Sequence, residues 1–250
     1  MPSFLITGAN RGLGLAFTKE LLKDPKNYVI ATARNAQGAE ELHKLATQFG
    51  NDRLSLLQLD VTKEESIRAA VEQAQDLLPN GLDNFVSNAG VATDMLSPFE
   101  AVDLKAFTAD VDFTLASTVR VILAFLPLIR KGSQKRIMAI SSVLGSIEMA
   151  FGMPGVANTY STAKAALNMM MRKWAAVLKM EGIAAFVIHP GWAGNTAIGA
   201  EIEPWMSKYA PNLKSIPEST AAEGCMKVLT KATIDDAGKF FNYDGGNLPW

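Results

Sequence analysis

In the stretch NTYSTAKAAL, residues 158–167, a tyrosine and a lysine stand four residues apart, at Tyr160 and Lys164. On a helix that spacing puts both side chains on one face, within reach of each other. A phenol with its ordinary pKa of about 10 is a poor acid at neutral pH, and a neighbouring ammonium favours the phenolate and lowers that value. The pair is therefore a candidate for proton transfer to or from an oxygen. Near the front of the chain TGANRGLG, residues 7–14, carries Gly8, Gly12 and Gly14 directly after an apolar run and at the opening of a helical pattern. Glycine there lets backbone approach a phosphate, and a helix N-terminus favours negative charge. One fixed positive charge, Arg11, sits inside that loop.

Both stretches need a frame to hold them. Short apolar runs at 3–7, 28–33, 53–59, 82–87, 135–141, 183–189 and 239–243 read as seven strands. Longer segments between them have helical spacing, as in Leu15, Lys19 and Leu22, or Ile67, Val71, Ala74 and Leu78, the latter behind a good capping residue at Thr62. This alternation predicts an α/β fold, a parallel sheet covered by helices on both faces, with ligands beyond the carboxyl ends of its strands. The turn-rich stretch 191–218 is expected to form a flap over a pocket.

Composition narrows the classes of partner. The 250 residues, 48% hydrophobic, suffice for one sizeable core and a single domain. With 24 basic against 25 acidic residues the net charge is -1, so no global field attracts nucleic acid or anionic lipid, and a small molecule is the expected partner. No uninterrupted apolar run reaches the roughly 18 to 20 residues of a membrane span. The opening MPSFLITG does not read as a signal peptide, and the single cysteine, Cys225, cannot form an internal disulfide. A cytoplasmic protein with no metal site is expected. Met169, Met170 and Met171 point to successive helix faces, so one or more must look outward unless a second copy covers them, which hints at a homodimer.

LDV at 59–61 and SNAG at 87–90 also close strands, and with them the chain resembles the short-chain dehydrogenase/reductase family. The resemblance spans essentially the whole chain and is most specific at 7–14, 87–90 and 160–164. SSVLGSI, residues 141–147, is similar to the corresponding strand end in the sniffer and C-factor-like NADPH carbonyl reductases. It implies one Rossmann-type, doubly wound domain over residues 1–250 that binds NADP(H). Contacts to that cofactor would come from Gly8, Asn10, Arg11, Gly12 and Leu13 in the glycine loop, from Asp60 and Val61 at the adenine, and from Asn88, Ala89 and Gly90 beside the adenosine ribose and the nicotinamide side of the sheet. In such folds a carboxylate or a cation meets the adenosine 2′ position. The second strand ends ATAR with no acid, so Arg34 and Arg11 together suit a 2′-phosphate.

By the same resemblance, Tyr160 protonates a carbonyl oxygen while hydride passes from the nicotinamide to carbon, and Lys164 also holds the nicotinamide ribose. Ser142 would hydrogen-bond the carbonyl oxygen and stabilise developing charge. The interval from Ser142 to Tyr160 is longer than the family's usual one, which marks an inserted loop and makes Ser146 a rival; Ser141 serves the strand or its turn. HPGW, residues 189–192, places Pro190 and Gly191 against the nicotinamide amide, with Asn195 or Thr196 near the carboxamide or phosphates, and His189 reads as structural. Met149, Phe151 and Met153 of the inserted loop, with Trp192, Ile198, Trp205 and Met206 of the flap, suggest an apolar pocket. One position departs from the family pattern. Thr114 stands where an asparagine normally organises a proton-relay water behind the lysine, with Asp112 as a substitute. The expected activity is carbonyl reduction or alcohol oxidation on an apolar small molecule; the alternative is a weak or inactive NADP(H)-sensing regulator, for which the missing asparagine speaks.

Overall fold

The computed structural model describes residues 1–93 and 95–250. The seven expected strands all form: β1 (Ser3–Ile6), β2 (Tyr28–Ala33), β3 (Leu54–Gln58), β4 (Asn84–Ser87), β5 (Arg136–Ile140), β6 (Ala184–His189) and β7 (Phe240–Asn242). They pair in parallel in the order β3-β2-β1-β4-β5-β6-β7. The chain winds outward in one direction from β1 and in the other from β4. The crevice for a ligand therefore opens above the carboxyl ends of those two strands.

Among the described residues nine α-helices link them: α1 (Gly12–Leu22), α2 (Glu40–Phe49), α3 (Glu64–Leu77), α4 (Leu104–Asp112), α5 (Thr118–Lys131), α6 (Asn158–Met180), α7 (Ala197–Glu201), α8 (Glu203–Tyr209) and α9 (Glu218–Lys231). Successive strand residues point to opposite faces, so each strand feeds two cores. Phe4, Ile6, Val29, Ala31, Met138 and Ile140 pack under α1, α2 and α9; Leu5, Ile30, Phe85, Ile137 and Ala139 pack under α3, α5 and α6. That near-continuous burial on both faces is what apolar parallel strands require.

One expectation is corrected here. Thr62 does not cap α3, because its hydroxyl and N–H both bond the Asp60 carboxylate and Lys63 takes the capping position without a side-chain bond. Among the described residues one helical run, Leu104–Lys131, holds an 18-residue window apolar enough by composition to cross a membrane, with a mean hydropathy of 1.7, although charged residues interrupt the run. Half of that window is buried, and α5 packs beside α3 in the core on one face of the sheet, the setting of an interior helix. Of the three consecutive methionines on α6, Met171 is buried, Met170 half-buried and Met169 58% exposed.

Candidate active site

The glycine loop owes its shape to close approach. A Cβ on Gly14 would lie 2.3 Å from the Gly8 carbonyl oxygen, so only glycine lets α1 start against the turn that leaves β1. Gly8 and Gly12 both have positive φ, at 65° and 55°. The turn is tied to the end of β4: the Thr7 hydroxyl accepts from the N–H groups of Asn88 and Ala89, and the Asn88 amide donates to the Thr7 and Gly8 carbonyls at 2.8 and 3.1 Å. Asn88 thus holds the loop with its nitrogen and has its amide oxygen to offer a ligand. Asn10 and Arg11 stand exposed on the rim, Gly12, Leu13 and Ala89 are half-buried, and Gly90 is exposed.

Arg34 follows β2 directly and is exposed, and neither Arg11 nor Arg34 forms an ion pair among the described residues. Beyond β3, burial pushes the Asp60 carboxyl up, but the two Thr62 hydrogen bonds and the charges of Lys63 and Arg34 carry it below its ordinary value. Arg34 and Asp60 therefore border one shallow rim, with Val61 buried beneath.

At the chemical end, Tyr160, Lys164 and Asn168 repeat at four-residue intervals and are all buried on one face of α6. Lys164 donates to the Ile140 carbonyl at 2.8 Å, and its Nζ lies 5.5 Å from the Tyr160 ring centroid. Burial draws the Lys164 ammonium down to about 8. Burial also pushes the Tyr160 phenol well up; the Ser142 hydroxyl opposes this and the charge of Asp110 adds to it. The lowering expected from the spacing of Tyr160 and Lys164 is not found, because loss of water on burial, with the charge of Asp110, exceeds the opposing Ser142 hydrogen bond. A neutral phenol results, the form that can donate a proton.

Ser142 ends β5 and accepts from the Leu144 N–H at 3.2 Å, at the start of a short 3-10 turn over Val143–Gly145. That turn rests on α6, where a Cβ on Gly145 would come within 2.8 Å of the Lys164 Cβ. Ser141 donates to Asn168 at 2.6 Å, and Asn168 donates to the Gly145 carbonyl at 3.1 Å. Asn168 thus pins the serine-bearing turn, a role the sequence reading missed; its one signal was a polar residue continuing the Tyr160–Lys164 face. Ser146 is buried with its hydroxyl turned to the Met149 N–H, so Ser142 is the serine that meets Tyr160. Ala157, just ahead of α6, has φ of 52°, a left-handed conformation that costs about 1–3 kcal/mol in a non-glycine residue.

The roof comes from β6 onward. Pro190 is buried, and Gly191 has φ of 82° with the Tyr243 ring and Ile216 packed where a Cβ would stand. Asn195 is exposed, while the Thr196 hydroxyl accepts from the Gly199 N–H at 2.9 Å and so caps α7. Helices α7 and α8 lie within the stretch 191–218, and the Trp205 indole donates to the Pro154 carbonyl at 2.9 Å, joining that stretch to the inserted loop. Met95, Leu144, Val156, Ala157 and Tyr160 make an apolar cluster walled by Met153, Ile198 and Trp205. Phe151 is corrected: it is 100% exposed at the tip of the loop and takes no part in this wall. His189, at the end of β6, has Nδ1 buried and unpartnered among the described residues, and burial draws its pKa to about 4, so it is neutral.

Residues 3–207 match the family model for short chain dehydrogenases. The chain belongs to the short-chain dehydrogenase/reductase family. It is 38% identical to the short-chain dehydrogenase/reductase atnB of an Arthrinium species, over 98% of each chain. Among solved structures it is similar to the NADPH-bound carbonyl reductase from chicken fatty liver, at 32% identity with a TM-score of 0.87 over 100% and 99% of the two chains. The carbonyl reductase Sniffer of D. melanogaster gives 28% identity and a TM-score of 0.88, each chain covered in full.

In this short-chain dehydrogenase Thr114, the position expected to depart from the family pattern, is buried in a π-helical turn, Phe113–Ser117, that joins α4 to α5. Asp112 is exposed. The buried acid of that helix is Asp110, one turn earlier.

Proposed function

We propose that the protein is an NADPH-dependent carbonyl reductase, moving hydride between the nicotinamide and a carbonyl or alcohol carbon of an apolar small molecule. The observation that carries this reading is the buried Tyr160–Lys164 pair, met by Ser142 and set in the apolar cluster of Met95, Leu144 and Trp205. The cradle fits the cofactor: the glycine loop leaves backbone N–H groups open at the start of α1, and a side chain at Gly14 would close it. Arg11 and Arg34 are the cations at the rim where a 2′-phosphate would lie. The chicken enzyme is NADPH-bound, and a related short-chain dehydrogenase/reductase from Burkholderia multivorans, at 30% identity, has bound NADP.

When bound, NADPH supplies the hydride. The chain's own groups do the rest. The glycine loop, with Asp60, Val61, Asn88, Ala89 and Gly90 beyond it, holds the adenosine end, and Pro190, Gly191, Asn195 and Thr196 border the nicotinamide end. The Tyr160 hydroxyl donates its proton to the substrate oxygen, and Ser142 donates a hydrogen bond to that same oxygen as charge develops. Lys164 stabilises the tyrosinate left behind and reaches the nicotinamide ribose. The apolar wall excludes water and selects an apolar substrate. A panel of ketones, aldehydes and quinones, with NADPH or NADH consumption followed optically, tests the proposal. Reduction of one class with strong NADPH preference supports it. Tight NADPH binding with no turnover across the panel would favour the sensing role instead.

A further inference from the structure

Asp110 is 2% exposed on the last turn of α4, and its carboxylate accepts from the Thr93 N–H at 3.1 Å, its one hydrogen bond among the described residues. A buried carboxylate with so few partners is costly, and an apolar residue at that point of the helix would be cheaper. Two observations give it a purpose. Thr93 lies between Ala92 and Met95, and both pack into the apolar cluster around Tyr160. The carboxylate also bears electrostatically on the Tyr160 hydroxyl itself. Other acids of this helix have ordinary places: Asp103 accepts from the Lys105 N–H as its N-cap, and Asp112 faces solvent.

We propose that Asp110 is a positioning residue of the active site, which anchors Thr93, and with it the neighbouring Ala92 and Met95, as one wall of the carbonyl pocket and places a carboxylate in the surroundings of the Tyr160 hydroxyl. The polar and charged groups acting on Tyr160 come from three directions: Lys164 from its own helix, Ser142 from the end of β5 and Asp110 from α4; Ile198 and Trp205 of the flap are uncharged. Lys164 and Asp110 act in opposite senses. The phenol keeps its proton at neutral pH for reduction, and alcohol oxidation must wait for higher pH, where tyrosinate forms.

The inference rests on the proposed reductase activity, and two substitutions separate its parts. Asp110→Asn keeps an oxygen for the Thr93 N–H and removes the charge. It should leave exchange protection of the Thr93 amide intact and KM for the carbonyl substrate within about twofold. The rising limb of kcat/KM for alcohol oxidation should move to lower pH by about one unit. Asp110→Ala also frees the loop, so Thr93 protection should fall and KM rise about tenfold, with the same shift in the pH profile. Wild-type pH dependence in both variants overturns the electrostatic half, and unchanged Thr93 exchange in Asp110→Ala overturns the anchoring half. Tyr160→Phe run alongside identifies the other failure: if that variant still turns over, the reductase reading itself falls, whatever Asp110 does.

Discussion

Lys164 is held charged at neutral pH although burial draws its pKa from an ordinary 10.5 to about 8. The folded chain releases this proton near pH 8 and the unfolded chain near 10.5, so between those values the unfolded state binds the extra proton and rising pH favours the folded state. At about 1.4 kcal/mol per unit, the charged lysine costs about 3 kcal/mol of stability below pH 8, and the cost fades toward pH 10.5. Lys164→Met keeps most of the length of the side chain and removes the charge. It also leaves the Ile140 carbonyl without its donor, a loss of about 1–3 kcal/mol that does not depend on pH. The expected result is that the stability of the variant relative to wild type falls by about 3 kcal/mol as pH rises from about 7 to about 10.5. Urea denaturation of both proteins at matched pH values measures it, since the difference cancels the other titrating groups. Turnover should be lost in the same variant, as for residues kept for activity at the expense of stability. A difference that stays flat across this range, within the error of extrapolation, would refute the desolvated lysine and the electrostatics built on it.

Three further outcomes are expected. Arg34→Asp should lower kcat/KM for NADPH by roughly 10- to 150-fold, since it removes a charge-assisted bond of about 1.5–3 kcal/mol and places a second acid beside Asp60; an unchanged NADPH to NADH ratio would contradict this. Ser142→Ala should cost about 100- to 1,000-fold in kcat, whereas Ser146→Ala, whose hydroxyl faces the Met149 N–H, should leave kcat within about threefold; steady-state rates at saturating NADPH distinguish them. Thr114→Asn should raise kcat and shrink the solvent isotope effect if reprotonation of Tyr160 limits turnover. No isotope effect in wild type and no gain in the variant would mean that the threonine is compensated.

The strands were legible because each is a short apolar run with turns on both sides, and the structure shifts their ends by no more than two residues. The glycine loop was legible for the same local reason: positive φ and close approach at Gly8 and Gly14 leave no other residue type. What escaped the sequence is what depends on solvent and on partners distant along the chain. Spacing showed that Lys164 neighbours Tyr160 but not that both lose their water, and that loss decides the direction of the Tyr160 shift. The π-helical turn at Phe113–Ser117 interrupts no pattern of apolar residues, so nothing in the periodicity announced it. Nothing in the sequence sets Asp110 apart from other helical acids, since its bond to Thr93 joins residues 17 apart.

The central claim is that Tyr160 is the acid and that cofactor binding does not need its hydroxyl. Tyr160→Phe, assayed with NADPH and a carbonyl substrate found by the panel, tests it most directly, with NADPH affinity measured separately by fluorescence titration. The account predicts a fall in kcat of about 100- to 10,000-fold with NADPH affinity nearly unchanged. A phenylalanine variant that turns over at close to the wild-type rate would show that another group protonates the substrate and would contradict the account.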